Sequence, residues 1–301
     1  MIDPLAEVVT MLQPSAPFSK IVSAAGAWRV RRTEPGRTFY CVILEGTCRL
    51  LVNGHDPVAL QAGDFVLIPS AHDFSMSGLE PPPEPIVSSP VVLPNGEFRL
   101  GIQDGSPDVR CLIGYCVFGA PDVALLVSLL PQFVLVRGEK RLTTLVQLLG
   151  DECNAHRPAR DVVLARLLEV LFVEALRSTA GATASLGLLH GLADERLAIA
   201  IRRMHEFPGQ SWTADQLAKE AALSRSAFFQ RFRRVMGMAP MEYLLAWRMA
   251  LAKNLLKYSK CSIDEVAERL GYSSVNTFSV AFTRYVGLPP RRYALQNSAI
   301  Q

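Results

Sequence analysis

One skeleton occurs twice in this chain, and it limits the possible folds more than any other feature. Residues 218–237 read AKEAALSRSAFFQRFRRVMG and residues 267–287 read AERLGYSSVNTFSVAFTRYVG. Ala218 aligns with Ala267 at an offset of 49, whereas Phe228, Phe232 and Gly237 align with Phe278, Phe282 and Gly287 at an offset of 50. One residue is therefore inserted in the second turn, where Gly271 can take a positive φ at little steric cost. Each copy predicts a short helix, a tight turn (Ala222-Leu223 in the first) and a second helix. Ser224 is the expected N-cap of that second helix. Phe228 and Phe232, four residues apart, share the face that pins it to a core. The opposite face keeps Arg225, Ser226, Phe229 and Gln230. A helix held by aromatics on one side, with basic and amide groups on the other, suits the major groove of DNA.

Two copies make two helix pairs and fall short of a repeat array. A joining helix is predicted from Pro240, a favourable first helical position, to about Tyr258. Its apolar residues Met241, Leu244, Leu245, Met249, Ala252, Leu255 and Leu256 follow the helical period. At 1.5 Å per residue it spans roughly 27 Å, against a DNA turn of roughly 34 Å, so it can present two reading units to one face of a duplex.

Charge agrees with that reading. Residues 192–301 carry 16 Lys and Arg against 9 Asp and Glu, and residues 1–191 carry 15 against 19, so the overall +3 conceals a basic C-terminal part. No acidic residue lies between Glu220 and Glu242 or after Glu268, which leaves both recognition segments free of groups that repel phosphate.

The tandem SRSAFFQRFRRVMGMAPMEYLLAWRMALAKNLL and GYSSVNTFSVAFTRYVGLPPRRYA resembles the DNA-binding domain of the AraC/XylS family of bacterial transcription regulators over about Leu192 to Tyr293. By position, the resemblance implies base-reading roles for Arg225, Ser226, Phe229 and Gln230 in the first unit, and for Val275, Asn276, Thr277 and Val280 in the second. It places phosphate contacts at Ser224, Arg231, Arg234, Ser274 and Arg284. The family often has Arg where this chain has Val280, so the second unit is expected to read its half-site weakly or through a thymine methyl.

The N-terminal part has a different texture. Leu5, Val8, Val9 and Leu12 mark a helix that stops at Gln13-Pro14. From Trp28 to about Met76, β-rich runs (FYCVIL, CRLLV, FVLI) are separated by Glu45-Gly46, Asn53-Gly54 and Ala62-Gly63-Asp64. Such spacing suggests a small barrel or sandwich. The string GTCRLLVNGHDPVALQAGD followed by GDFVLIPSAHDF resembles the second half of a cupin barrel, the sensor domain of many AraC-type regulators. Glu80 to Gly105, rich in Pro and Gly, reads as a long excursion over the barrel mouth, and DVRCLIGYCVF as a strand returning to the sheet. Val123 to Leu176 reads as helical. Its stripes (Leu142, Leu145, Val146, Leu149; Leu164, Leu167, Leu168, Leu171, Phe172, Leu176) can serve a dimer surface or pack on the barrel.

Metal-dependent cupins bring two His and a carboxylate from the first motif and one His from the second. Here GRTFYCVILEG has no His, and His72 alone cannot hold a catalytic metal. No nucleophile elbow, P-loop, dinucleotide-binding or zinc-protease motif occurs. No metal, cofactor or catalytic residue is expected, and an enzyme reading rests on the generic cupin resemblance alone. Of the cysteines, Cys41, Cys48, Cys111 and Cys116 fall in the barrel, with Arg49 and Arg110 as sequence neighbours of Cys48 and Cys111. A nearby cation lowers a thiol pKa, so oxidant or electrophile sensing stands beside plain core packing. These four cysteines, His72 and Trp28 are the effector or thiol-sensing candidates.

The expected architecture is α+β. A cupin-like sensor and dimerisation domain covers 1–180 (barrel about 28–118, flanking helices about 123–177), and a linker covers 181–191. An all-α DNA-binding domain covers 192–301, with helix-turn-helix units at about 213–236 and 262–286 joined by a long helix. The expected function is sequence-specific regulation of transcription, by activation, under a small-molecule or oxidant signal. A cupin enzyme with an appended DNA-binding domain and a constitutive DNA-binding module are the alternatives. Expected partners are double-stranded promoter DNA, RNA polymerase, an effector and a second copy in a homodimer. No membrane partner is expected, and the expected location is cytoplasmic, at the nucleoid.

Overall fold

The computed structural model of the chain describes residues 3–33, 37–70, 73–155, 157–178, 187–259 and 261–298. It opens with α1 (Pro4–Leu12), then β1 (Pro14–Ala25), β2 (Arg29–Arg32), β3 (Thr38–Val52), β4 (Val58–Gln61), β5 (Phe65–Ile68), β6 (Phe74–Ser77), β7 (Val91–Val92), β8 (Phe98–Gly101) and β9 (Val109–Phe118). Next come α2 (Val123–Ser128), β10 (Val134–Val136), α3 (Lys140–Asn154) and α4 (Arg160–Ser178). The remaining helices are α5 (Leu188–Ala193), α6 (Glu195–Glu206), α7 (Ala214–Glu220), α8 (Arg225–Met236), α9 (Pro240–Tyr258), α10 (Ile263–Arg269), α11 (Val275–Val286) and α12 (Pro290–Ser298). Contacts divide the chain into two compact units, one of Gln13–Gly119 with Pro131–Thr183, the other of Met1–Leu12, Ala120–Leu130 and Ala184–Gln301.

The first unit is a curled, cupin-like half-barrel in which β3 is the central strand, pairing with β4, β5, β6 and β9. Its burial explains its sequence. Residues 38–43 are all buried because that stretch is covered on both faces. Phe39, Cys41 and Ile43 point into the barrel core, while Tyr40 fills the space over Gly114, where an added Cβ would lie 2.1 Å from its ring. A bulge between Ile43 and Glu45 shifts the register against β9, after which Cys48, Leu50 and Val52 carry the interior face. Glu45-Gly46, expected as a turn between two strands, thus lies inside one continuous strand. Two further differences concern β-pairing. β1 begins at Pro14, ahead of the expected start at Trp28, and the stretch expected to be wholly helical contains β10. Both segments lack a clear period-two pattern and take their strand form from neighbours, β8 and β9 for β1 and β5 for β10.

Helices α3 and α4 cover the outer face of the sheet against β1 and β9. Leu164, Leu168, Leu171, Phe172, Ala175 and Leu176 of α4 are buried, and Phe172 meets Phe118 edge-on at 5.6 Å. The α4 stripe therefore packs on the barrel.

In the second unit, α9 is the shared core. Phe232 of α8 meets Tyr243 of α9 at 5.8 Å, and Phe278 and Phe282 of α11 pack in a cluster with Met249, Ala252 and Leu256 from the far half of α9. Met241 and Leu245, expected in its core stripe, are 40% exposed; Tyr243, Trp247 and Ala250 are buried instead. Contacts group Met1–Leu12 and Ala120–Leu130 with the C-terminal helices, whereas chain order placed both within 1–180. α1 packs on α2 and α6, because Leu5, Val8, Val9 and Leu12 need an apolar partner and find one there. Glu7 of α1 also reaches the buried His205, whose Nδ1 is 2.7 Å from Glu7 Oε2, whose Nε2 is 2.7 Å from Tyr243 Oη, and whose ring stacks on Trp247 at 4.0 Å. Of the expected linker, 181–186 lies outside the described residues, and Leu188, Leu189 and Gly191 are buried in α5.

Two positive-φ glycines of this unit differ in how tightly they are held. Gly237 takes φ 80° at the end of α8 with open space around it, whereas a Cβ on Gly271 (φ 77°) would stand 1.8 Å from the Gly209 carbonyl oxygen. Gly237→Ala is expected to cost about 1–2 kcal/mol, the penalty of the left-handed backbone. Gly271→Ala should add about 1–3 kcal/mol for the forced backbone shift. Denaturant unfolding followed by helix signal measures both; equal losses would contradict the close approach.

Candidate nucleic-acid interface and barrel cavity

Each reading unit is built by the same local devices. Thr213 Oγ1 accepts from Gln216 N (3.2 Å) while Gln216 Oε1 accepts from Thr213 N (2.8 Å), and Ser262 and Glu265 repeat the exchange at 3.2 and 2.7 Å. Ala222 (φ 50°) and Gly271 occupy equivalent turn positions, each followed by a backbone bond to the preceding helix, Leu223 N to Ala218 O and Tyr272 N to Ala267 O, both 2.9 Å. Ser273 is thus the inserted residue. The second helices α8 and α11 start at capping serines, Ser224 accepting from Ala227 N at 3.3 Å and Ser274 from Thr277 N at 3.2 Å. Both helices end at glycines in the left-handed conformation, Gly237 and Gly287.

With Phe228 and Phe232 buried, the outward face of α8 presents Arg225, Ser226, Phe229 and Gln230, all exposed. Phe229 is 42% exposed, a large apolar side chain left on the surface of a basic helix. Arg225 lies 3.6 Å from Asp215 of α7, a surface pair that constrains it weakly. On α11, Asn276, Thr277 and Val280 are exposed, Val280 by 70%, but Val275 is half-buried against the core cluster of its own unit. Val275 is therefore the least open of the four expected positions on α11.

Among the expected phosphate ligands, Ser224, Arg234, Ser274 and Arg284 are exposed. Arg231 differs. Its Nε donates to Asp194 Oδ2 at 2.5 Å, and Asp194 caps α6 by accepting from Arg196 N and Leu197 N. Burial would raise the Asp194 pKa, but the Arg231 bond and these amides outweigh it and hold it below the ordinary carboxylate value. Two arginines that local pattern did not single out fix the geometry. Arg196 donates to Ala222 O at 3.1 Å in the first turn, and Arg248 of α9 donates to Pro208 O (2.6 Å) and Gln210 O (2.7 Å), beside Gly209 where the second turn packs. Their partners lie 26 to 40 residues away, so no local spacing carries the signal. Exposed Arg233, Arg291 and Arg292 add to the basic surface.

The half-barrel encloses a cavity of ≈ 240 Å³ whose wall includes Trp28, Phe39, Phe74, Phe98 and Tyr115. Trp28, one of the effector candidates, is thus a wall residue. His72 lies outside the described residues. Cys111 also lines the cavity, its Sγ 3.5 Å from Val22 O; Cys41 and Cys48 sit in the same core cluster. Cys116, paired in register with Thr38, is buried on the sheet's other face. The expected thiol-activating cations are absent from these sites, because alternation along a strand sends sequence neighbours to opposite faces. Arg49 is exposed, and Arg110 pairs with Glu97 and Glu45. Contact with Cys111 and burial push the Cys41 thiol well above its ordinary pKa; burial raises Cys48 and pushes Cys116 up to about 12. Among the described residues, no group of three or more His, Cys, Asp and Glu is placed to hold a metal ion.

A cupin half-barrel and a tandem of helix-turn-helix units together define a class of DNA-binding regulator. Comparison with known proteins agrees: residues 3–181 match the Cupin family and residues 217–296 the Helix-turn-helix domain family. The chain is 34% identical over 298 residues to a putative AraC-like transcription regulator of Streptomyces lividans, covering 97% of both chains. It is 32% identical over 299 residues to one of Streptomyces antibioticus, covering 97% of this chain and 98% of that one. It is 26% identical over 286 residues to the HTH-type transcriptional regulator AlkR of Acinetobacter baylyi, covering 92% and 94%. A solved DNA-binding domain of AdpA in complex with target DNA is 32% identical over 35% of this chain and 93% of that one, with a TM-score of 0.33. The chain belongs to the AraC-like transcription regulators with an N-terminal cupin domain. It is a DNA-binding regulator of transcription.

Three outcomes are expected. Alkylation of the native protein should label the half-buried Cys153 and Cys261 first and leave Cys41, Cys48 and Cys116 unmodified until unfolding, as mass spectrometry would read. Gln230→Ala should cost about 1–3 kcal/mol at one base position if Gln230 makes a bidentate pair. Arg234→Ala should instead weaken binding to every sequence and lower the salt slope by about 0.9, one phosphate's share. Binding of the variants to operator and mutated duplexes distinguishes them.

Proposed function

We propose that the two helix-turn-helix units read adjacent major-groove segments of a promoter. Arg225, Ser226, Phe229 and Gln230 face bases in the first segment, and Asn276, Thr277 and Val280 in the second. Ser224, Arg234, Ser274 and Arg284 hold the phosphates on either side, the serines from the positive ends of α8 and α11. The observation that carries this is the division of labour on each second helix: two phenylalanines buried, and the polar or basic face opposite them open. Val280, exposed and apolar, suits a thymine methyl.

In this reading the chain works as an activator in the cytoplasm, contacts RNA polymerase, and catalyses no reaction. The naming of its relatives as transcription regulators supports that. It acts as a homodimer; exposed Val163 and Val170, seven residues apart on one side of α4, supply a surface for a second copy. The barrel receives the signal, and a signal shifts the equilibrium only by binding one arrangement of the protein better than another.

The test is binding of purified full-length protein to its own upstream DNA, titrated against salt beside a scrambled duplex. Preference for the upstream duplex is expected, with affinity falling steeply as salt rises. Equal binding to the scrambled duplex would contradict sequence-specific regulation.

A further inference from the structure

The two helix-turn-helix units are joined at a second point, outside the apolar core that they share on α9. The 207–212 loop leads from α6 into α7 of the first unit and is braced on itself: Gln210 N and Trp212 Nε1 donate to Phe207 O at 3.1 and 3.0 Å, and Trp212 N donates to Gln210 O at 2.7 Å. Gly209, inside that loop, meets the turn of the second unit backbone to backbone. A Cβ on Gly209 would stand 2.6 Å from Arg269 O, and a Cβ on Gly271 would stand 1.8 Å from Gly209 O. Arg248, midway along α9, bonds to the carbonyls on either side of Gly209, Nε donating to Pro208 O at 2.6 Å and Nη2 to Gln210 O at 2.7 Å. It is half-buried, and Tyr272 of the second turn is its electrostatic neighbour. Loop, joining helix and second turn therefore meet around one guanidinium.

This junction supplies what the apolar core lacks. Packing on α9 sets the distance and overall orientation of the units, but apolar contact is non-directional and leaves a small swing about the helix. Charge-assisted bonds from a planar fork to two fixed carbonyls are directional and resist that swing. On DNA a small swing matters, because the duplex turns about 34° per base pair. A rotation of that size between the reading helices is equivalent to moving one segment by a base pair. We propose that Arg248 is a positioning residue that locks the first unit against the turn of the second and so sets how many base pairs separate the two segments read. The proposal rests on the reading that both units engage one duplex. Selection of an operator by its spacing then comes from a residue whose donors are bonded to the protein's own backbone, and it acts beside the base contacts of α8 and α11.

The experiment uses full-length protein and its own upstream DNA. Hydroxyl-radical footprinting locates the two segments protected by one protomer, and duplexes of that site are made with one base pair inserted or removed between them. Wild type should bind the native duplex at least tenfold more tightly than either altered one. Arg248→Gln should bind all three within threefold of one another, while still rejecting a base substitution inside either segment as wild type does. Arg248→Lys, which keeps the charge but lacks the fork, should fall between the two, and it carries the comparison should the Gln variant not fold. In either variant, an undiminished spacing preference, or loss of spacing and base preference together, would overturn the proposal. Hydrogen exchange without DNA is read beside it. Amides of 209–212 and 270–273 should exchange at least tenfold faster in Arg248→Gln, with those of α8 and α11 unchanged; unchanged exchange in both loops would overturn the lock. Faster exchange there, combined with a wild type indifferent to spacing, would overturn the two-unit reading and leave the lock standing.

Discussion

A helix pair of seven and twelve residues buries too little apolar surface to be stable alone, and both reading units meet that limit by packing on α9. One half of α9 supplies Tyr243 to the phenylalanines of α8, and the other supplies Met249, Ala252 and Leu256 to those of α11. Sharing a core couples the two units in distance and orientation, because a helix of 19 residues is stiff over its roughly 28 Å length. Arg248, on the same helix, donates two hydrogen bonds to the 208–210 turn against which the second unit's turn is packed. The spacing of the two reading faces is thus a property of α9 and its contacts, and it does not depend on the connecting loops.

The barrel shows a different constraint, burial on two sides. Where α3 and α4 cover the sheet, consecutive residues of β3 are all buried; past the bulge the strand alternates. The covered face keeps the sheet rigid while the other face is left to enclose the cavity. Among the described residues, the wall of that cavity is mainly aromatic and its charged lining is basic. The same alternation that turns Cys48 inward turns Arg49 to solvent, so the Cys48 thiol lies in buried surroundings that oppose its ionisation.

Much of this was readable before any coordinates. The duplicated Phe-x-x-x-Phe spacing, the serine caps and the glycine ends gave both helix-turn-helix units, since each is a rule acting within a few residues. The exposed faces of α8 and α11 followed from the same periodicity. What escaped was long-range. No local pattern shows that Arg231 pairs with Asp194, 37 residues away, or that Val275 packs against the core of its unit. β1 and β10 were hidden because their strand character comes from pairing with distant segments.

The sequence by itself determined that this chain carries two helix-turn-helix units, a cupin-like domain and a basic C-terminal part. Local propensity, capping and charge are written residue by residue, and family resemblance follows from them. Only the tertiary structure decided which arginines are turned inward, that α1 belongs with the C-terminal helices, and that Lys20, Arg32 and the ring set converge on one cavity. Lys20 and Arg32 are brought to the same opening by strand order and register, which place Lys20 opposite Ile113 on β9 and Arg32 opposite Phe74 on β6. Strand register is fixed by burial across the whole sheet, and no local stretch of sequence contains it.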